Sequence, residues 1–464
     1  MNGQRRSAVL IDVAVASVRQ RWTMFVGAFV ALGLGTALLA TSIITLSATS
    51  GDGLGKARSV AQVTTALSVM VVVFVLVGTF AFVVDQRARE LALLSLLGTT
   101  PRRIRRLIRI ETVIVGGAAA LTGCIFGLPG ALVLRQWMVA NDIATRSYDV
   151  GFHLGALGIA FLVGVVAAVV GASSAAWRAS RARPLDALRE AAASPRVMTP
   201  LRVVLGVIVL IGAATVALVM SVVSPRNAAS PGSFFPVPVL CAIGFALLAP
   251  VLARPVTRLV TWPLMGRGAL VVVIRQSTLN GGRRVAALVA SVVLAVGMCT
   301  GMLAMEDTAR AATVELMPSL THLAEMVQSE AESTRLANVV ILGIALVYTL
   351  VAIANTLMMN VSARSRELEA LGFAGATRRQ VIWVLLGEAL LTVTVGALVG
   401  ITGAVASQVL QRLALVRIVD DLPIDFPWLS GITIVLVRAA TAAIAVFGAA
   451  WRATWVQARA VAAE

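Results

Sequence analysis

Three ionisable residues stand inside otherwise apolar stretches of this 464-residue chain: Glu111, Glu388 and Arg438. A carboxylate so placed can relay a proton or hold an arginine, and an arginine can grip an anionic group. Arg438 lies ten residues past Trp428, about 15 Å along a helix, close to the middle of an apolar layer. An unpaired charge there costs at least about 2.5–3.5 kcal/mol, so Arg438 is expected to face other helices or water. Contact with an anionic substrate, a gating partner and a structural ion pair all stay open for it.

Other reactive side chains carry less. The run Ser50-Gly51-Asp52-Gly53-Leu54-Gly55-Lys56-Ala57 approaches a phosphate-cradling loop, yet it lacks the first Gly and the final Ser/Thr. It reads as a flexible Gly-rich loop. Cys124, Cys241 and Cys299 all fall in apolar blocks and read as small buried hydrophobes. His153 and His322 have no partner at metal-ligand spacing. No catalytic, cofactor or metal site is expected in this chain.

The elements that position these residues follow from composition. The chain is 59% hydrophobic and 13% charged, with mean hydropathy +0.92, against about 25% charged in soluble domains. Ten apolar blocks are long enough to cross about 30 Å of hydrocarbon as helices. They are Thr23–Leu46, Ala61–Val84, Ile110–Leu134, Gly151–Ala176, Val203–Val223, Pro236–Ala253, Val285–Met305, Leu336–Val361, Val381–Leu410 and Trp428–Ala450. The reading is an all-α integral membrane protein of ten transmembrane helices.

The net charge of +17 would suit a nucleic-acid binder only if it were gathered on one soluble face. Instead the arginines lie between the blocks. With both termini cytosolic, the inner segments sum to +21 and the outer ones to −3. That asymmetry sets orientation in a membrane and leaves no role for nucleic acid. The first block is too long for the core of a cleavable signal. Residues Ala8–Arg21 read either as a helix at the inner surface or as an extension of the first span. The acidic segment Glu306–Arg335 reads as a short outer hairpin broken at Pro318.

An internal repeat organises the chain. The stretch beginning QRARELALLSLLGTTPRRIRR at Gln86 aligns without a gap, 277 residues on, with ARSRELEALGFAGATRRQVIW at Ala363. Arg89-Glu90-Leu91 matches Arg366-Glu367-Leu368, Gly98 matches Gly375, Thr100 matches Thr377, Glu111 matches Glu388 and Gly123 matches Gly400. A tail, Trp177-Arg178-Ala179, recurs at Trp451-Arg452-Ala453 and places Gly164 opposite Arg438. Each copy spans four blocks, and blocks five and six join them, so both copies share one orientation as parallel repeats. The domains are therefore 1–22 as a cytosolic or interfacial helix, 23–190 as the first four-span half, 191–275 as a two-span linker and 276–464 as the second four-span half.

Locally, Gly98 and Gly375 permit a turn, and Thr100 and Thr377 can cap the following helix. Pro101 suits a first helical position, and Thr377 to Gln380 has capping-box spacing. The recurrence of Glu111 and Glu388 favours a shared structural job, such as holding nearby arginines, over proton transfer. Gly123-x-x-x-Gly127 and Gly396-x-x-x-Gly400 allow close helix contact.

The pattern R-x-R-E-L-x-x-L-x-x-x-G-x-T, followed by a basic turn, a Glu and a Gly-rich span, resembles the FtsX/MacB-type (type VII) permease domain of ABC transporters. Two copies in ten spans are similar to the single-chain peptide-resistance permeases of that family. The resemblance implies a permease subunit without its own ATP site. A separate ABC-type ATPase, in two copies, would hold ATP and Mg and drive outward movement or extraction of a lipophilic or peptide substrate. It further implies that Arg89, Glu90, Gly98, Thr100, Pro101 and Arg102, with Arg366, Glu367, Gly375, Thr377, Arg378 and Gln380, form the coupling turns seated in the ATPase. The same arginines can otherwise set topology and meet anionic headgroups.

One departure matters. Relatives carry a large extracytoplasmic domain where this chain has only short gaps, so no such domain is expected. Two other classes stay in play: a non-transporting signal or mechanical transmitter, and an ion-coupled carrier using Glu111, Glu388 and Arg438.

Overall fold

The computed structural model describes residues 22–49, 99–141, 153–181, 200–223, 234–264, 268–316, 375–416 and 427–461, with isolated positions at 58–96, 144–151, 343 and 350. Among the described residues the elements are helical: α1 Trp22–Ser47, α2 Pro101–Ala140, α3 Leu154–Arg181, α4 Pro200–Val223 and α5 Pro236–Thr261. Then follow α6 Ala269–Asn280, α7 Gly282–Leu316, α8 Arg378–Leu415 and α9 Trp428–Val461. All but α6 are long and apolar enough to cross a membrane, giving eight candidate spans. The second and eighth sequence blocks, Ala61–Val84 and Leu336–Val361, lie outside the described residues except at isolated positions. So do residues 1–21, the Gly-rich loop Ser50–Ala57 and the stretch beyond Leu316 expected to form an outer hairpin.

The helices fall into two compact units, one holding α1 to α3 and the other α4 to α9. Residues 191–275, read from the sequence as a linker, thus supply α4 and α5 to the second unit.

In the first unit α1 lies along α2, and α3 packs on both. The approach of α1 to α2 is set by small residues: a Cβ on Gly123 would collide with Thr36 Oγ1 and the Gly33 carbonyl. A Cβ on Gly127 would sit 2.5 Å from that of Ala40. Hydroxyls enter this apolar seam because each finds a carbonyl. Thr36 donates to Leu32 O at 2.8 Å, and Thr41 crosses to Gly127 O at 3.1 Å. Ser42 and Ser68 pair at 2.9 Å.

In the second unit α7 is central and α4 peripheral: 89% of the α7 apolar window is buried against 17% for α4. Leu288, Val292 and Val296 of α7 meet Leu385, Ala389 and Val393 of α8, each set repeating every four residues along one helix face. The outward face of α4, with Leu201, Ile208, Ile211 and Leu218, is left apolar and exposed, as a lipid-facing helix requires.

Helices α2 and α8 have 40 and 38 residues, about 60 and 57 Å long and nearly twice the hydrocarbon thickness. Each is therefore longer than the apolar layer, and the repeated motif lies at its arginine-bearing N-terminal end.

Candidate functional site

The two repeated helices begin at matched positions. Thr100 has φ −68° and ψ 147°, and Thr377 has φ −70° and ψ 153°. Both are extended N-caps. At Thr377 the capping box forms: Gln380 N donates to Thr377 Oγ1 at 3.4 Å, and Thr377 N donates to Gln380 Oε1 at 2.8 Å. The preceding Gly375 takes φ +89°, a left-handed turn that a side chain would strain.

At Thr100 the position equivalent to Gln380 is Arg103, and the side chain makes no cap bond. Pro101 at the first helical position sets φ without needing a donor there. The backbone closes the turn alone, with Arg103 N and Ile104 N donating to Thr100 O at 2.9 and 3.2 Å. Two chemistries thus build one geometry.

Charge and burial then separate by face. On α2, Arg102, Arg103, Arg106 and Arg109 are exposed while Ile104, Ile108 and Glu111 are buried. On α8, Arg378, Arg379 and Gln380 are exposed while Val384, Leu385 and Glu388 are buried. Each copy presents a basic first turn and, ten residues on, a buried carboxylate. Arg89, Glu90, Gly98, Arg366 and Glu367 lie outside the described residues.

Glu388 accepts a hydrogen bond from Ser277 Oγ at 3.0 Å, from the short helix α6. One residue before it, Gly387 makes room for Ile274: a Cβ there would collide with Ile274 Cδ1. A polar contact and a steric one thus hold α6 against α8. The sequence reading offered a surface helix before the first apolar block as one of two alternatives and none before the block at Val285; α6 is a separate short helix at that second place. Its clue was the run Ala269–Ile274 followed by the polar residues Arg275, Gln276 and Ser277.

Arg438 is fully buried in α9, among the largest fully enclosed side chains described. It lies near Cys299 of α7. Its counterpart Gly164 has no such room, because a Cβ on Gly164 would collide with Thr36 Cγ2. The two copies thus differ at one internal place: the first is closed by Thr36, and the second holds an arginine.

A second difference lies at the far ends of the same seams. In the first unit Tyr148 Oη donates to Thr45 O at 2.7 Å, beside Leu134 and Met138. In the second, Gln411 Nε2 donates to Met305 O at 3.2 Å and Gln408 Nε2 meets Thr308 Oγ1 at 3.4 Å. Gln408 and Gln411, three apart in an apolar block, were the sequence signal for this polar layer. Among the described residues no three His, Cys, Asp or Glu gather as a metal site.

Eight described helices long and apolar enough to cross a membrane, two of them with matched basic starts, define a multi-pass membrane protein. The FtsX-like permease C-terminal family matches the chain twice, at residues 63–184 and 339–458. These matches cover about half of the sequence and fall on its two copies. The chain belongs to the FtsX-like permease family. It is 31% identical over 139 residues to the uncharacterized ABC transporter permease protein Rv0987 of Mycobacterium tuberculosis. That match takes in 28% of this chain and 15% of the relative, so the chain corresponds to a small part of that protein's length.

Proposed function

We propose that this chain is the membrane subunit of an ABC transporter in a bacterial cytoplasmic membrane, crossing it ten times with both termini cytosolic. A separate ATPase, in two copies, binds ATP and Mg and seats one copy against each repeated helix start. Nucleotide-driven closure moves the two four-span halves against each other and expels or extracts a lipophilic or peptide molecule. The observation that supports this reading is the matched pair of extended N-caps, Thr100 and Thr377, each followed by exposed arginines on a helix about twice as long as the bilayer core requires. An ATPase needs two equivalent handles, and a chain with a duplicated domain has them.

The test is reconstitution of the full chain in nanodiscs with each ABC-type ATPase encoded near its gene. Stable co-purification and a rise in ATP turnover on adding the chain are expected. Charge reversal of Arg102 and Arg378 to Glu should abolish that rise while leaving helical content unchanged. Failure of every neighbouring ATPase to co-purify, with ATP turnover unaffected, overturns the reading. ATP stimulation without movement of any lipophilic or peptide cargo would instead identify a signal transmitter.

A further inference from the structure

Helices α5, α6 and α7 enclose an open cleft on one side of the second unit, lined by Arg254, Thr257, Thr278, Gly282 and Val285. Its chemistry is one-sided. Arg254 is an exposed cation, and no acidic side chain lines the cleft. Thr257 is 1% exposed, yet its hydroxyl makes no hydrogen bond among the described residues. A buried hydroxyl in an apolar helix ordinarily finds a carbonyl one turn back, as Thr278 does with Ile274 O at 2.8 Å and Thr261 with Thr257 O at 2.7 Å. Thr257 instead borders the cleft with its donor unused.

The third contribution is the start of α7. The first N–H groups of a helix have no carbonyl within it to bond, and they carry the positive end of its dipole. Gly282 brings that end to the cleft wall without a side chain in the way. A guanidinium, a spare hydroxyl donor and a helix N-terminus converging on one space, with no carboxylate among them, select a tetrahedral oxyanion. Leu259 on α5 and Val272 on α6 are largely exposed apolar residues of the same two cleft-forming helices, so a phosphate held here could carry an acyl tail into the bilayer.

We propose that the cleft between α5, α6 and α7 binds a phosphate group, gripped by Arg254, Thr257 and the first N–H groups of α7. A phospholipid headgroup and a free phosphate share this chemistry, and two arms separate these sources. In the first, the full chain is placed in phosphatidylcholine nanodiscs with and without phosphatidylglycerol, and retained anionic lipid is counted by native mass spectrometry. In the second, the detergent-solubilised chain is titrated with inorganic phosphate and its thermal unfolding followed.

A response in the first arm alone assigns a headgroup, and one in the second assigns free phosphate. In the responding arm Arg254→Gln should weaken binding about tenfold or more, and Thr257→Val by a few-fold, since it removes the donor while preserving shape. Arg258→Gln neutralises an exposed arginine of α5 that does not line the cleft, so it should leave binding unchanged. No response in either arm overturns the proposal. Equal losses for Arg254→Gln and Arg258→Gln overturn it as well, because they would report general surface charge. Should Arg254→Gln fail to fold, Thr257→Val decides alone. This site does not depend on the ATPase reading.

Discussion

Ser277 donates a hydrogen bond through Oγ to Oε2 of Glu388 at 3.0 Å, joining residues 111 apart in sequence and tying α6 to the repeated helix α8. The bond is one contact that helps a carboxylate stay 7% exposed inside an apolar helix face. It also ties α8, ten residues beyond its basic start, to the short helix that precedes α7.

Removing that donor should be felt. Ser277→Ala leaves the Glu388 oxygen without this partner and should cost about 1–3 kcal/mol, read as a lower Tm in detergent. Glu388→Gln keeps an acceptor for Ser277 and should cost less. Equal Tm values for Ser277→Ala and the wild type would show the contact contributes nothing.

The two helix starts should respond differently to the same substitution. Thr377→Ala removes a capping box and should cost about 1 kcal/mol of helix-start stability. Thr100→Ala removes no side-chain cap bond and should cost a few tenths at most. Amide hydrogen exchange over 378–384 should quicken in the first variant, while exchange over 101–107 stays unchanged in the second. Equal quickening in both would contradict the asymmetry.

Helix contact makes a steric prediction. Gly123→Ala puts a methyl into Thr36 Oγ1 and the Gly33 carbonyl, and backbone cannot yield as a flexible side chain does. A loss of about 1–3 kcal/mol or more is expected, seen as poor yield of folded protein in detergent. Gly158→Ala on α3 has nothing within 4 Å of the new atom. It should be neutral, or stabilising by up to about 1 kcal/mol.

Tyr148 supplies a pH dependence. Burial, outweighing a downward pull from Arg135, raises its phenol to about 12, against an ordinary value near 10. Between these values the unfolded chain has released a proton that the folded chain keeps, so stability falls as pH rises through this window and is full below it. Tyr148→Phe should flatten that fall. At neutral pH it should cost about 1 kcal/mol through the lost bond to Thr45 O. Thermal unfolding of both proteins across the alkaline range measures each effect.

Much of the site could be read before any tertiary structure. Thr377 and Gln380 sit at capping-box spacing, and the bonds that form are local, made within one turn by residues three apart. The first copy was harder. Thr100 invites the same expectation, but Arg103 occupies the third helical position and no side-chain cap forms. Arg438 was recognised as a charge in an apolar block, while the reason its counterpart is Gly164 was hidden. That reason is Thr36, which lies 128 residues from Gly164 in the chain and closes the space only when α1 packs there.

The sequence by itself determined the membrane class, the duplication, the placement of charge between blocks and the local start of α8. Each follows from composition, period or contacts a few residues apart. Tertiary structure alone decided that α4 and α5 join the second unit, that α6 crosses α8 through Ser277 and Ile274, and that one copy holds an arginine where the other is shut. These depend on which helices touch. In an apolar solvent every lipid-facing side chain resembles its neighbours, so sequence pattern marks where helices run, and contacts between small residues and hydroxyls decide how they meet.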